Sequence, residues 1–133
     1  MAETGDSPSE SPGERISDAE HAVMEALWRK HPRTATEVCD EVCEDRGWSL
    51  ATVKTLLSRL VAKQAIDAKP DGRRFLYSPL VERADYVGGE SRRLVDRLFG
   101  GRAAPLLVHL AEAEGLSDED LDEIERLIRE LRK

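Results

Sequence analysis

The chain has 133 residues, carries a formal net charge of −7, and contains 35% charged but only 5% aromatic residues. This composition is typical of a helix-rich soluble protein, and the length suits one domain or a small domain with an appendage. No apolar run approaches the roughly 18 residues that a membrane-spanning helix needs, so we expect no membrane insertion and a cytoplasmic protein.

The first fifteen residues, MAETGDSPSESPGER, combine Ser, Pro, Gly and Glu with almost no apolar side chain. They contain neither the basic start nor the apolar stretch of a signal peptide. Because such a segment cannot bury enough apolar surface to offset the entropy of ordering, we expect residues 1–15 to form a disordered tail.

Two capping signals predict the first two helices. Ser17-Asp18-Ala19-Glu20 is a capping box ahead of apolar positions with a 3.6-residue period, and His31-Pro32 ends this helix. Thr34-Ala35-Thr36-Glu37 repeats the pattern and opens a shorter helix that runs to about Asp45. Arg46-Gly47 then interrupts the helical pattern.

A third helix follows, and its outer face differs from that of an ordinary surface helix. Ser49 caps it, and the predicted buried face consists of Leu50, Val53, Leu57, Leu60 and Val61. A generic three-helix core would show the same buried stripe, but a purely solvated outer face normally carries Glu/Lys pairs. Here the outer face has short hydroxyls and no acid, which lets a helix approach base edges while flanking cations hold phosphates. We therefore predict a helix-turn-helix whose DNA-binding residues are Ser49, Ala51, Thr52, Lys54, Thr55, Ser58 and Arg59.

After Gln64-Ala65 the apolar period changes from 3.6 to two, around the turn sequence KPDGRR. An Asp-Gly pair between alternating apolar residues is a strong hairpin signal. We predict a β-hairpin wing with Arg73 and Arg74 near its tip as phosphate contacts; a solvated turn is the alternative for this pair. Ser78-Pro79 closes this winged-helix domain, which spans residues 16–79.

The charge of this domain is uneven. Between Arg46 and Tyr77 there are seven Lys/Arg against two acids, a local net charge of +5, which leaves −12 for the rest of the chain. Phosphate attraction is screened beyond about 10 Å, so the local charge decides whether a surface binds DNA. The segment therefore predicts double-stranded DNA as a partner in spite of the negative net charge of the whole chain.

Residues 80–133 are predicted to form a second domain of three helices. A long helix covers residues 81–99, a short apolar helix covers residues 103–114, and Ser117 caps the last one, in which apolar residues recur at heptad-like spacing. Because this apolar surface is too large for so small a chain to cover, a second copy in a C2 homodimer is expected to bury it. The predicted dimerisation residues are Leu94, Leu98, Leu107, Leu121, Ile124, Ile128 and Leu131.

Cys39 and Cys43 lie four residues apart and so share one helix face. A disulfide across one helical turn is geometrically poor, and two thiols suit a reducing cytoplasm. A metal site would need two further ligands at a spacing that the sequence lacks. We therefore expect two thiols on a partly buried face, with no metal and no cofactor; a redox role is the alternative.

From Ile16 to Lys133 the chain resembles the penicillinase-repressor (BlaI/MecI/CopY) family of winged-helix repressors. The resemblance rests on ISDAEHAVMEALW in the first helix, TATEV in the second, WSLATVKTLLSRLVAKQAI through the third, GRRFLYSPLVER at the wing, and RLVDRLFGG before the tail. It implies an N-terminal winged-helix domain, a C-terminal helical dimerisation domain, and dimers that bind dyad operators upstream of resistance or homeostasis genes.

The resemblance also implies roles for single residues of the winged-helix domain. Thr52 and Thr55 match the main base-reading positions of the family. Arg59, Arg73 and Arg74 match positions that contact the DNA backbone. The resemblance therefore implies the same interface that the helix and wing patterns predict.

Two departures from the family concern regulation. Beta-lactam-responsive members are cleaved at an Asn-Phe bond in the tail, and the aligned pair here is His109-Leu110. This difference argues against cleavage with that specificity, and it leaves His109-Leu110 as a candidate cleavage position and a membrane sensor-protease as a candidate partner. Copper-responsive members carry Cys-X-Cys motifs near the C-terminus, whereas this chain has no cysteine after Cys43, which excludes copper sensing of that type.

Two function hypotheses result. The first is a homodimeric, sequence-specific repressor at a dyad operator. The second is a winged-helix adaptor for protein interactions, which the net charge of −12 outside the basic segment supports to some extent. Salt separates them, because a repressor loses DNA affinity steeply as salt rises. The chain has no Gly-rich phosphate loop, HExxH motif or nucleophile elbow, so we expect neither an enzyme nor a small-molecule substrate.

Overall fold

A computed structural model describes residues 16–133, and in this range the protein is mainly α-helical with one two-stranded hairpin. The helices are α1 (Asp18–Arg29), α2 (Ala35–Arg46), α3 (Leu50–Ala62), α4 (Arg83–Phe99), α5 (Ala103–Glu112) and α6 (Asp118–Leu131), and the strands are β1 (Ile66–Asp71) and β2 (Arg74–Pro79). The predicted fold class, a helix-turn-helix with a hairpin wing followed by three helices, is confirmed. The predicted disordered tail, residues 1–15, lies outside the described residues.

Local capping chemistry sets where the helices begin. Ser17, Thr34 and Ser117 each accept a hydrogen bond from the backbone N–H three residues on. The carboxylate of that residue accepts one from the backbone N–H of the cap, so all three are complete capping boxes. Ser49 caps α3 by accepting from the Thr52 N–H at 3.2 Å. The predicted caps of α1, α2, α3 and α6 are therefore confirmed, whereas α4 begins at Arg83 and not at the predicted residue 81.

Helices α1, α2 and α3 pack around a common hydrophobic core. Fully buried side chains from all three helices meet there, including Met24 and Leu27 of α1, Val38 of α2, and Leu57 and Leu60 of α3. The predicted α3 face is wrong at Val61, which is 37% exposed, and it omits Leu56, which is buried. Leu50 is half-buried and packs against the core. The buried face thus follows positions 53, 56, 57 and 60, the i, i+3, i+4, i+7 pattern of a helix that packs on one side.

The wing is an antiparallel pair in which Ile66 lies opposite Pro79 and Asp71 opposite Arg74. Gly72 occupies the tip with a φ of 66°, a conformation that glycine adopts without the steric penalty of a Cβ. Arg33, just before α2, forms a bridge with Tyr77: each residue's N–H donates to the other's carbonyl, at 3.1 and 2.8 Å. The base of the wing is therefore fixed to the start of α2.

Within residues 16–133 the contacts define two compact units, one that ends at Val87 and one that spans Gly88–Lys133. In the second unit Val95 is buried, but most large apolar side chains of α5 and α6 are exposed. Across residues 16–133, no helix is both long and apolar enough to cross a membrane.

The expectation of two free thiols is wrong for this structure. Cys39 and Cys43 of α2 are joined in a disulfide, with their Cα atoms 4.9 Å apart. That separation lies inside the range of about 4.4–6.8 Å that disulfides accept, so one helical turn does not exclude the bond.

Candidate nucleic-acid interface

The outer face of α3 presents short side chains toward solvent. Ala51, Lys54, Thr55 and Ser58 are exposed there, and Thr52 is half-buried. Such a surface lets the helix backbone come close to base edges, since a major groove about 12 Å wide admits an α-helix. The predicted small-polar face is present on the folded helix.

The hydroxyls of this face are partly occupied by the helix itself. Thr55 Oγ1 donates to the Ala51 carbonyl at 3.1 Å, which uses the hydroxyl proton, while the side chain as a whole stays exposed. Thr52 Oγ1 lies 3.2 Å from Ser49 Oγ, where either hydroxyl can donate. Ser49 therefore stabilises the start of α3, a role distinct from the DNA contact predicted for it.

A groove of about 600 Å³ lies between the start of α2, the outer face of α3 and the wing. Three cationic side chains line it, from Lys54 of α3 and from Arg73 and Arg74 of the wing. Four predicted site residues are thus brought to one place: Lys54, Ser58, Arg73 and Arg74. Arg59 is exposed on α3 but does not line this groove.

Arg74 of the wing has an acidic partner in the hairpin. Arg74 Nε donates to Asp71 Oδ2 at 3.1 Å across the turn, which orients its guanidinium. Both side chains are exposed, so this pair contributes little to stability. Its effect is to hold one cation at the edge of the groove.

Sequence reasoning missed several residues of the groove. Thr36 at the start of α2 and Phe75 and Tyr77 of β2 line it together with the predicted residues. Two local signals were available: the capping box that places Thr36 in the first turn of α2, and the alternation that puts Phe75 and Tyr77 on one face of the wing. What the sequence does not contain is that these two places meet.

One carboxylate also lines the groove. Glu37 Oε1 accepts from the Thr34 N–H at 2.8 Å, and this backbone hydrogen bond, with the Thr34 hydroxyl and the nearby charge of Arg74, holds the pKa of Glu37 below its usual range. Glu37 therefore stays ionised. Three cations against one carboxylate leave the groove positive, which suits a phosphate backbone.

A three-residue ion cluster fixes α1 to α2 behind this surface. The Glu41 carboxylate pairs with Arg29 of α1 and, at 2.6 Å, with Arg33 before α2. Burial alone would raise the pKa of Glu41, but the two guanidinium groups hold it below its usual range. Because Arg33 also carries the bridge to Tyr77, the cluster supports the junction of α2 with the wing.

A second cavity, of about 560 Å³, lies between α1, α2 and the start of α4. Several of its charged residues are paired: Arg83 forms a bidentate pair with Glu25 at 2.9 and 3.1 Å, and His21 lies 3.5 Å from the same carboxylate. Among the described residues, no three His, Cys, Asp or Glu side chains come together in a way that could hold a metal ion.

The residues predicted for dimerisation and cleavage lie in the second unit. Leu98, Leu107, Leu121, Ile128 and Leu131 are exposed, whereas Leu94 and Ile124 are half-buried. His109 and Leu110 lie inside α5, both exposed. The apolar row of α6 is thus displayed on the surface of the single chain.

The family model described as penicillinase repressor matches residues 16–130, which is most of the chain. The chain belongs to the penicillinase repressor family. Membership agrees with the interface geometry and makes the protein a DNA-binding transcriptional repressor and not an enzyme.

Individual relatives match over nearly their whole length. The penicillinase repressor of Bacillus licheniformis is 31% identical over 116 residues, which cover 87% of this chain and 91% of that protein. The methicillin resistance regulatory protein MecI of Mammaliicoccus sciuri is 33% identical over 113 residues, covering 85% and 92%. Among solved structures, the DNA binding domain of the repressor BlaI is 38% identical with a TM-score of 0.50, covering 54% of this chain and 88% of that domain.

Proposed function

We propose that this repressor acts as a homodimer on a dyad operator, with each α3 in the major groove of one half-site. The observation that carries the proposal is the positive groove beside the small-polar face of α3, which together match one major groove and its adjacent backbone. Two half-sites would lie one helical turn of DNA apart, about 34–36 Å, or a multiple of it. Repression follows if the bound dimer blocks a promoter in the cytoplasm.

The residues of the interface divide by role. Thr52 and Thr55, with Ala51 and Ser58, face the base edges and provide sequence readout. Lys54, Arg59, Arg73 and Arg74 contact phosphates and set the register of the protein on the duplex. Ser49 acts through its cap on α3, because its hydroxyl accepts from the Thr52 N–H.

The dimer is inferred from α5 and α6. Leu121, Ile128 and Leu131 are 48%, 44% and 75% exposed on one helix. Burying apolar surface stabilises an assembly by about 25 cal/mol per Å² removed from water. A second copy that presents the same row is a self-complementary cover. Joining two winged-helix domains, the reading heads of the dimer, makes the second half-site contact intramolecular and raises affinity by about 10²–10⁴.

Induction would then work through the tail. Any event that loosens α5 and α6 separates the two heads and releases DNA without changing α3. Cleavage at His109-Leu110 by a membrane sensor-protease is one such event, and it requires α5 to unwind locally, since both residues lie within the helix. A chain truncated after Ser91 is therefore expected to lose operator affinity at nanomolar protein and to keep weak half-site binding.

The direct test is a mobility shift of the DNA upstream of the protein's own gene, in excess competitor DNA and over a range of salt. We expect a specific shift that Thr55→Ala weakens or relaxes in sequence preference, and that Arg73→Ala weakens on all DNA with a smaller salt slope. Absence of a specific shift at low salt, on that DNA and on randomised DNA pools, would favour a protein-interaction adaptor instead.

A further inference from the structure

Phe75 is a large apolar side chain displayed in the positive groove. It is 48% exposed on β2 and lines the same groove as Lys54, Ser58, Arg73 and Arg74. Single exposed hydrophobic residues are common on proteins, but this one lies among three cationic side chains of one groove. Its position therefore calls for a role at the interface.

Phe75 has two neighbours on its face of the wing. Pro70 lies directly across the hairpin, in register with it. Tyr77 lies two residues on, on the same face of the wing, with its ring centroid 6.5 Å away and the planes tilted by 47°. The backbone of Tyr77 is bridged to Arg33, so the residue beside Phe75 is hydrogen-bonded to the start of α2 as well as to the other strand of the wing.

We propose that Phe75 packs against the deoxyribose of the operator backbone, between the phosphates that Lys54 and the wing arginines hold. This inference rests on the proposed function and adds an apolar contact to an interface otherwise described by charge and by base edges. The C–H surface of a deoxyribose is the apolar group that lies between successive phosphates, and it recurs at every nucleotide. The contact is therefore independent of sequence and of salt.

The ionic contacts and this apolar contact respond differently to salt. Each phosphate contact from Lys or Arg releases counterions, so its loss changes the slope of log K against log salt by about 0.9. A side chain with no charge releases no counterion. Loss of Phe75 should lower the affinity at every salt concentration and leave the slope unchanged.

The experiment compares full-length Phe75→Ala and Phe75→Leu with the wild type and with Arg73→Ala, by anisotropy titration of operator and non-operator duplexes between low and high salt. Phe75→Ala should weaken binding about tenfold on both duplexes with an unchanged slope. Phe75→Leu should regain most of that loss. Arg73→Ala is the control in which the slope itself falls. Urea unfolding of each variant establishes that the chain titrated is folded.

Three outcomes would overturn the inference while leaving the repressor function intact. Unchanged affinity of Phe75→Ala means that the ring makes no contact. A loss restricted to the operator, and abolished when thymines are replaced by uracils, means that the ring meets a base methyl instead of a sugar. If the smaller folded fraction of Phe75→Ala accounts for its whole loss of affinity, Phe75 only stabilises the hairpin. Failure of the wild type to bind operator would instead contradict the proposed function.

Discussion

Glu20 is almost fully buried, 2% exposed, and yet it carries a charge. Its carboxylate accepts from the Ser17 N–H at 2.9 Å and from Lys63 Nζ at 2.6 Å, which joins the start of α1 to the end of α3. Burial alone would raise the pKa of Glu20, but the hydrogen bonds and charge of Lys63 and the Ser17 N–H hold it below its usual range. The pair therefore positions the recognition helix α3 on the helix that supports it.

Glu20→Gln should destabilise the fold in a pH-dependent way. A carboxylate whose folded pKa is lowered contributes stability above its unfolded pKa of about 4.3, and this contribution is lost as pH falls through the lower folded value. We expect Glu20→Gln to reduce the unfolding free energy by about 1–3 kcal/mol at pH 7, the scale of a hydrogen bond to a charged group. Urea unfolding at pH 7, 5 and 3 should show the difference from wild type narrowing at the lowest pH.

The exposed carboxylate of Glu44 on α2 provides the control for this series. Glu44→Gln should leave the unfolding free energy within about 0.5 kcal/mol of wild type at all three pH values. If Glu20→Gln lost the same stability at pH 3 as at pH 7, the charge of Glu20 would not be the cause, and side-chain packing would be.

The methyl group and the hydroxyl of Thr55 can be tested separately. Its hydroxyl proton is used by the Ala51 carbonyl, so the group that it offers to DNA is chiefly its methyl, which suits a thymine methyl. Thr55→Val keeps this methyl and should retain operator affinity within about threefold, whereas Thr55→Ser removes it and should cost about 1 kcal/mol. Titrations with operators that carry uracil at single thymine positions provide the check.

Uracil at one thymine position should weaken operator binding by the wild type and by Thr55→Val. It should not change binding by Thr55→Ser, because that variant has already lost the methyl contact. A result in which Thr55→Val binds worse than Thr55→Ser would show that the hydroxyl carries the readout.

At the scale of elements, α4 contains two adjacent glycines, Gly88 and Gly89, both exposed. A Cβ added at either position would meet no atom within 4 Å, so alanine fits without rearrangement. Glycine in a helix interior is less favourable than alanine by about 0.5–1 kcal/mol, because it loses more backbone entropy on folding. This helix therefore has lower intrinsic stability than its length suggests.

Gly88→Ala and Gly89→Ala should each raise helicity and the unfolding free energy of α4 by about 0.5–1 kcal/mol. Circular dichroism through thermal unfolding measures both. Gly47→Ala is the opposite control: Gly47 ends α2 with a φ of 67°, where a Cβ is strained, and the substitution should destabilise by about 1 kcal/mol. Stabilisation by Gly47→Ala, or none by the α4 variants, would contradict this account.

The elements themselves were predictable because their signals are local. Ser17, Thr34, Ser49 and Ser117 mark helix starts through hydrogen bonds that span three residues, and Asp71-Gly72 fixes the hairpin through backbone conformation alone. The groove was only half predictable. Thr36 and Phe75 both line it, and the bridge between Arg33 and Tyr77 that joins the start of α2 to the wing is contained in no local pattern. The disulfide was missed because average helix geometry says little about two particular side chains.

At the scale of the whole molecule, the question is what covers α6. In its apolar row, Leu121 and Ile128 are seven residues apart and exposed, and on the polar side of the same helix Glu123 and Glu130 have the same spacing. This gives a matched pair of double substitutions. Leu121→Ser with Ile128→Ser removes two apolar contacts, and Glu123→Ser with Glu130→Ser introduces the same residues away from them.

We expect the first double variant to be monomeric at micromolar concentration by sedimentation velocity, because a self-complementary interface loses each contact twice. Its affinity for a full operator should fall by about 10²–10⁴, the contribution of effective concentration, while its affinity for a half-site stays that of wild type. The glutamate double variant should remain dimeric and bind as wild type, since exposed ion pairs contribute little. If the apolar variant stayed dimeric, another surface would join the protomers. If it became monomeric with unchanged operator affinity, each reading head would bind independently, and loosening the tail could not be the step that releases DNA.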